Sequence, residues 1–133
     1  MLGRRVSKDV QERYSADQEL AATYRDKLTA AADAEQALRQ AQGEARPDPE
    51  LRALSLTLDQ AFADAIRAAE ASERVAMGPK IYASDDPRTG RTAAIAQRKA
   101  AARWSVKPWT DEVDRLRTAR EAHKLSFRSV ARA

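Results

Sequence analysis

The sequence has 133 residues, 24 Lys/Arg, 20 Asp/Glu and a formal net charge of +4. It has no cysteine and one histidine, which excludes disulfides and thiolate chemistry and argues against an enzyme or a metalloprotein. No apolar run approaches the roughly 18–20 residues of a membrane span, and no apolar run of signal-peptide length follows the first five residues. We therefore expect a protein of the cytoplasm or of an intracellularly assembled particle, without membrane contact.

Large apolar residues are scarce. Leu, Ile, Val and Phe together number 21, whereas Ala alone numbers 29. Alanine is the best helix former but buries little area, so the composition favours helices over a thick core. We expect thin, elongated helical packing that leaves apolar surface for a partner or a second copy of the chain.

Charge divides the chain into two predicted segments. Residues 1–77 carry 11 Lys/Arg and 14 Asp/Glu, whereas residues 78–133 carry 13 Lys/Arg and 6 Asp/Glu. Between Arg88 and Trp109 there are six basic residues and no acidic one. This division predicts a helical hairpin over 1–77 and a basic helical segment over 78–133 that contacts a polyanion or an acidic protein.

The first predicted helix spans about residues 7–42, a stretch without proline or glycine. Apolar residues recur in steps of three and four, as in a coiled coil, with Asp17 and Glu35 as charged interruptions. Gly43 and the following prolines end the helix. A helix of about 36 residues would be roughly 54 Å long, so it should pack lengthwise against another helix.

The second predicted helix spans about residues 49–77, with Asp48 as N-cap, and ends at Gly78-Pro79. A short loop between two long amphipathic helices predicts an antiparallel hairpin. In that hairpin the leucines near the start of the second helix face Leu38 and Ala31, and Phe62 lies near Leu28. The fold class is therefore all-α.

Two shorter helices complete the prediction. Residues 78–91 are predicted to form a loop, and the side chains of Ile81 and Tyr82 would pack this loop against the hairpin. A third helix covers about 92–104 with Thr92 as N-cap, and a fourth covers about 111–131 with Thr110 as N-cap. The fourth helix is acidic in its first turn and basic in its last turns, which matches the helix dipole.

Three groups of residues are candidates for partner or polyanion contact. Four basic residues of the fourth helix recur every four residues and form one stripe, which either follows a phosphate backbone or is a solvated face. A second basic group surrounds Gly90, where a helix N-terminus beside guanidinium groups can hold an anion; the alternative is a simple turn. The candidate residues are Arg88, Arg91, Arg98, Lys99, Arg103, Trp104, Lys107, Trp109, Arg120, Lys124, Arg128 and Arg132.

The two tryptophans form the third group. They could stack on bases, fill a pocket of a partner, or anchor the last two helices on the hairpin. Anchoring is the better interpretation for Trp104, while Trp109 stays open between these roles. The single histidine, His123, lies on the apolar seam of the fourth helix, where packing is the better interpretation.

These patterns predict a non-catalytic assembly or adaptor protein, a structural subunit of a larger complex such as a viral particle. The hairpin would pack on protein partners or on itself, and the basic segment would make a second contact. The alternative is a nucleic-acid-binding protein that contacts the phosphate backbone through the basic segment. No cofactor, metal or small-molecule ligand is expected, because glycine-rich phosphate loops and ligand clusters are missing from the sequence.

Overall fold

The computed structural model describes the backbone of residues 2–82 and 87–132 and the side chains of residues 8–82 and 91–127. The described chain is all-α, as predicted, and contains no strand. Its elements are α1 (Leu2–Ala21), α2 (Tyr24–Gly43), α3 (Asp48–Met77), a 3-10 helix (Pro79–Tyr82), α4 (Pro87–Ala101) and α5 (Lys107–Arg132).

The long first helix is broken in two at residues 22 and 23. The hydroxyl of Thr23 donates a 2.6 Å hydrogen bond to the carbonyl of Leu20, which also accepts a 3.0 Å bond from the Thr23 N–H. These hydrogen bonds join residues three apart in sequence, as in a 3-10 turn. The regular series of α-helical hydrogen bonds, which join residues four apart, is therefore interrupted here. The periodicity of the sequence did not reveal this break, because the seam continues on both sides of it.

The hairpin itself is confirmed, and α3 runs back along both halves of the broken helix. α2 ends at Gly43, and Ala45 in the connection adopts a left-handed φ of 52°. The cap of α3 is Pro47 rather than the predicted Asp48, which is the first helical residue. Gly78, with φ of 95°, ends α3 as predicted.

The principal core lies along α3. One cluster of buried residues joins α2, α3 and α5, and it includes Leu38, Leu58, Phe62 and Leu116, with Tyr24 and Leu28 packed against it. Further along α3, four alanines have no accessible surface at all: Ala65, Ala68, Ala69 and Ala71. Because alanine has no side chain beyond Cβ, neighbouring helices can approach α3 closely there, which is how a chain poor in large apolar residues builds a core.

The last two helices differ from the predicted bounds. α4 begins at Pro87, so Thr92 and Gly90 lie inside the helix and are neither a cap nor a turn. α5 begins at Lys107, so Thr110 lies within its first turn. Proline is well tolerated at the first positions of a helix, because its missing N–H would have no helical partner there.

α4 is attached through a second, smaller cluster. Its buried members are Met77, Ala100 and Val106, with Ile81 packed against them, and Tyr82 is also buried, as predicted. Of the rest of the predicted loop, residues 83–86 lie outside the described residues and residues 87–91 are helical, as the first residues of α4. α4 thus reaches the rest of the molecule mainly through alanines, which bury little area.

Candidate interaction surface

Two arginines attach α5 to α3: Arg120, a member of the predicted stripe, and Arg117, which the prediction did not include. Arg120 donates two hydrogen bonds to the carboxylate of Asp59, at 2.9 and 3.1 Å, and Arg117 donates one to Glu70 at 3.1 Å. The hydrogen bonds from Arg120 lower the pKa of Asp59, although partial burial opposes them. These two guanidinium groups therefore hold α5 against α3, and Arg120 is not a free cation of the predicted stripe.

Two lysines of the predicted contact set also lie beside carboxylates. Lys107 donates to Asp111 at 3.0 Å, and Lys124 lies 3.8 Å from Glu121. Both are local pairs within α5, of the exposed kind that contributes little to stability. The backbones of Arg88, Arg128 and Arg132 are helical, but their side chains lie outside the described residues.

The predicted cations of α4 are arranged differently. Arg91, Arg98 and Lys99 are exposed, whereas Ala93 and Ala100 on the opposite side of the helix are buried. Within the described residues, no hydrogen bond or ion pair involves any of these three cations. Their charge is therefore available to a partner.

Ile95 lies among these cations. It is four residues after Arg91 and three before Arg98, so all three share one face of α4. Its side chain is 46% exposed, one of the few large apolar side chains that face solvent. Ile95 was not among the candidates predicted from the sequence, although its spacing from the two arginines was the available signal.

The turn between α4 and α5 adds an exposed tryptophan. The carbonyl of Arg103 accepts hydrogen bonds from the N–H groups of Val106 and Lys107, at 3.1 and 3.3 Å, and Val106 is fully buried. Val106 anchors the turn, and Trp104 is 88% exposed. The interpretation of Trp104 as an anchor on the hairpin is therefore wrong. Arg103 is exposed and, within the described residues, unpaired.

We call this set the α4 surface. It consists of Arg91, Ile95, Arg98, Lys99, Arg103 and Trp104.

Trp109, and not Trp104, anchors α5 to the hairpin. It is half-buried, and its ring meets the ring of Tyr24 edge-on, with centroids 5.2 Å apart and planes at 85°. Burial, together with the neighbouring Glu112, raises the pKa of Tyr24 to about 12. Glu112 also accepts hydrogen bonds from Arg115. This cluster fixes the start of α5 against the start of α2.

A second polar cluster ties α1 to the end of α3. Asp17 accepts hydrogen bonds from Arg74, at 2.7 and 3.0 Å, and from the hydroxyl of Tyr82. Burial raises the pKa of Asp17, but these hydrogen bonds outweigh it, so the pKa lies below its ordinary value. Asp17 appeared in the sequence only as an interruption of the seam, because its partners are 57 and 65 residues away.

Two open grooves flank the hairpin. One, of about 650 Å³, lies at the break between α1 and α2 and is lined mainly by apolar side chains, among them Leu28, Val75 and Trp109. The other, of about 330 Å³, lies between α2 and α3 and includes Lys27 and Asp64. His123 lies in neither; its Nε2–H donates to the carbonyl of Ser55 at 2.9 Å, a packing role as predicted. In the part of the chain described, no three His, Asp or Glu residues are grouped to hold a metal ion.

Comparison with protein-family models, with curated proteins and with solved structures finds no match to this chain. Among the described helices, none combines the length and apolar character that crossing a membrane requires.

Proposed function

We propose that this protein is a non-catalytic assembly protein, with the helical bundle as scaffold and the α4 surface as its contact with an acidic protein partner. The observation that carries the proposal is the division of the cations. Those described on α5 lie beside carboxylates of the same chain, whereas those of the α4 surface are unpaired in the described structure and lie with Ile95 and Trp104.

The composition of the α4 surface supports a protein partner. Trp and Arg are the residue types that contribute most at protein interfaces, where the aromatic ring supplies area and the guanidinium group pairs carboxylates in bidentate fashion. The exposed Ile95 lies between Arg91 and Arg98, so a partner can make an apolar contact and ion pairs on the same face of α4. A phosphate backbone has no apolar group to place there, so Ile95 favours protein over nucleic acid.

The second candidate is binding of single-stranded nucleic acid, and the exposure of Trp104 is the observation that favours it. An exposed indole beside Arg103 can stack on a base while the guanidinium group contacts a phosphate. Such binding would fall steeply with salt, because each neutralised phosphate releases counterions.

The two candidates are separated by fluorescence anisotropy with two labelled probes, poly-L-glutamate and a single-stranded oligothymidylate, over a series of salt concentrations. We expect poly-L-glutamate to bind the full chain and the Arg91→Ala/Arg98→Ala variant to lose that binding. The Arg117→Ala variant, which removes a cation already paired with Glu70, is the matched control and should bind normally. Tighter binding of oligothymidylate with a steep salt slope would favour nucleic acid, and binding of neither probe would contradict both candidates.

A further inference from the structure

The same chain also carries acidic side chains that face solvent. The outer side of the broken first helix carries acidic residues at intervals of seven: Glu12, Glu19, Asp26 and Asp33. All four are exposed, and no hydrogen bond or ion pair of the described residues involves them. We call this set the acidic row.

The acidic row faces away from α3. On α2, Asp26 and Asp33 lie on the side opposite Ala31 and Leu38, which are buried in the core. A spacing of seven residues is about two helical turns, so their Cα atoms are roughly 10.5 Å apart along one side of the helix. Between them the exposed residues are small: Thr29 and Ala30.

The α4 surface has the complementary arrangement. Arg91 and Arg98 are also seven residues apart, so they too are separated by roughly 10.5 Å along one side of a helix. Ile95 lies between them, where α2 has Thr29 and Ala30. Packed lengthwise, the two helices would place each guanidinium group beside a carboxylate and the isoleucine over the small residues.

Resting on the proposed function, we propose that the acidic partner of the α4 surface is a second copy of this chain, with α4 of one copy docked on Asp26 and Asp33 of α2 of the other. The charge complementarity supports this occupant, because the two faces are opposite in sign and equal in spacing, and the charges of both are unpaired within one described chain. The small residues of α2 also allow a second helix to approach closely.

Neither of the two cations next to Asp26 in sequence competes. Lys27 lines the groove between α2 and α3 together with Asp64. Arg25 lines the groove at the break between α1 and α2 together with Trp109, so it lies on a different side of the helix from the acidic row. Every copy carries both faces, so two modes of association are available. The contact forms twice in a closed twofold dimer, or it forms once between successive copies of a larger oligomer.

The test is sedimentation velocity of the full chain from micromolar to millimolar concentration, with two charge-reversal variants. We expect the wild-type chain to associate with increasing concentration and to dissociate with salt. Arg91→Glu/Arg98→Glu and Asp26→Lys/Asp33→Lys should each raise the concentration of half-association by at least about tenfold. An equimolar mixture of the two variants should restore association to within about threefold of the wild type, since each then meets the opposite charge.

A matched control separates the specific contact from net charge. Arg13→Glu/Arg52→Glu makes the same change in net charge as Arg91→Glu/Arg98→Glu, on two exposed arginines that are unpaired in the described structure, and should leave association unchanged. Circular dichroism of each variant confirms that the helices are retained.

Three results would overturn the inference: a wild-type chain that is monomeric throughout, a reversal variant that associates normally, or a mixture that fails to associate. If poly-L-glutamate still binds the α4 surface of a monomeric chain, the second copy is not the partner, while the proposed function stands. If poly-L-glutamate does not bind either, both proposals fall.

Discussion

The bundle around α3 and the helix α4 are built from the same residue types but use them differently. Along α3, arginines from other elements and from α3 itself meet carboxylates, as in Arg120 with Asp59 and Arg74 with Asp17. On α4, the side that faces the molecule is alanine, and the arginines face solvent. The comparison teaches that net charge alone does not show which cations are available to a partner; the pairing of each cation within the fold does.

The largest expected effect lies in the core of the bundle. Leu116 is 1% exposed and belongs to the cluster that joins α5 to α3. Leu116→Ala should lower the free energy of unfolding by about 3 kcal/mol, because it leaves a cavity among neighbours that cannot fully collapse. Leu125→Ala, on the same helix but 61% exposed, should change it by less than about 0.5 kcal/mol. Chemical denaturation of both variants checks this, and equal effects would mean that α5 does not pack on α3 through Leu116.

The two tryptophans give the next comparison. Trp109→Ala removes the ring that packs on Tyr24 and should cost about 2 kcal/mol of folding stability. Trp104→Ala removes an exposed ring and should cost less than about 0.5 kcal/mol. Thermal and urea unfolding measure both. The opposite order would reverse the assignment of anchor and contact residue.

The cluster around Asp17 predicts a dependence of stability on pH. Asp17→Asn weakens the hydrogen bonds from Arg74 and Tyr82 and should cost about 1–2 kcal/mol at neutral pH. Because the folded pKa of Asp17 lies below its unfolded value near 3.8, its contribution is present above that pH and is lost as the pH falls through the folded pKa. Stability measured between pH 7 and pH 2 should therefore fall less in Asp17→Asn than in the wild type, and parallel curves would contradict this.

The smallest expected effect on global stability concerns the attachment of α4. Val106→Ala removes two buried methyl groups from the cluster that attaches α4 and should weaken the packing of α4 on the rest of the molecule by about 1 kcal/mol. Since α4 rests mainly on alanines, we expect hydrogen exchange to become faster in α4 and in the turn after it, with residues 65–72 of α3 unchanged. Equal acceleration in α3 and α4 would show that they unfold as one unit.

Local signals in the sequence predicted the helices and the hairpin well. Glycine marked the ends of α2 and α3, and the three-and-four spacing of apolar residues placed Leu38, Leu58 and Phe62 in one core. The break at Thr23 was not predicted, because a threonine hydroxyl that bonds to a carbonyl three residues back has no distinct pattern in a continuous seam.

The candidate site could be predicted only in part. Arg91, Arg98, Lys99 and Arg103 were recognised as candidates, and the described structure leaves them unpaired. The partner of Arg120 is Asp59, 61 residues away, so no local pattern could show that this cation was already used. The roles of the two tryptophans depend on the tertiary structure, because Trp109 packs on the ring of Tyr24 in α2, whereas Trp104 faces solvent.

We propose that the cations of α4 contact a partner, whereas the described cations of α5 pair with carboxylates of the same chain, and Arg117 and Arg120 among them stabilise the fold. The most direct test compares Arg91→Ala/Arg98→Ala with Arg120→Ala, measuring for each the melting temperature and the binding of poly-L-glutamate. We predict that the α4 variant keeps its melting temperature and loses binding, whereas Arg120→Ala lowers the melting temperature and keeps binding. Two results would contradict this proposal. One is a lower melting temperature with normal poly-L-glutamate binding in the α4 variant; the other is loss of that binding in Arg120→Ala without a lower melting temperature.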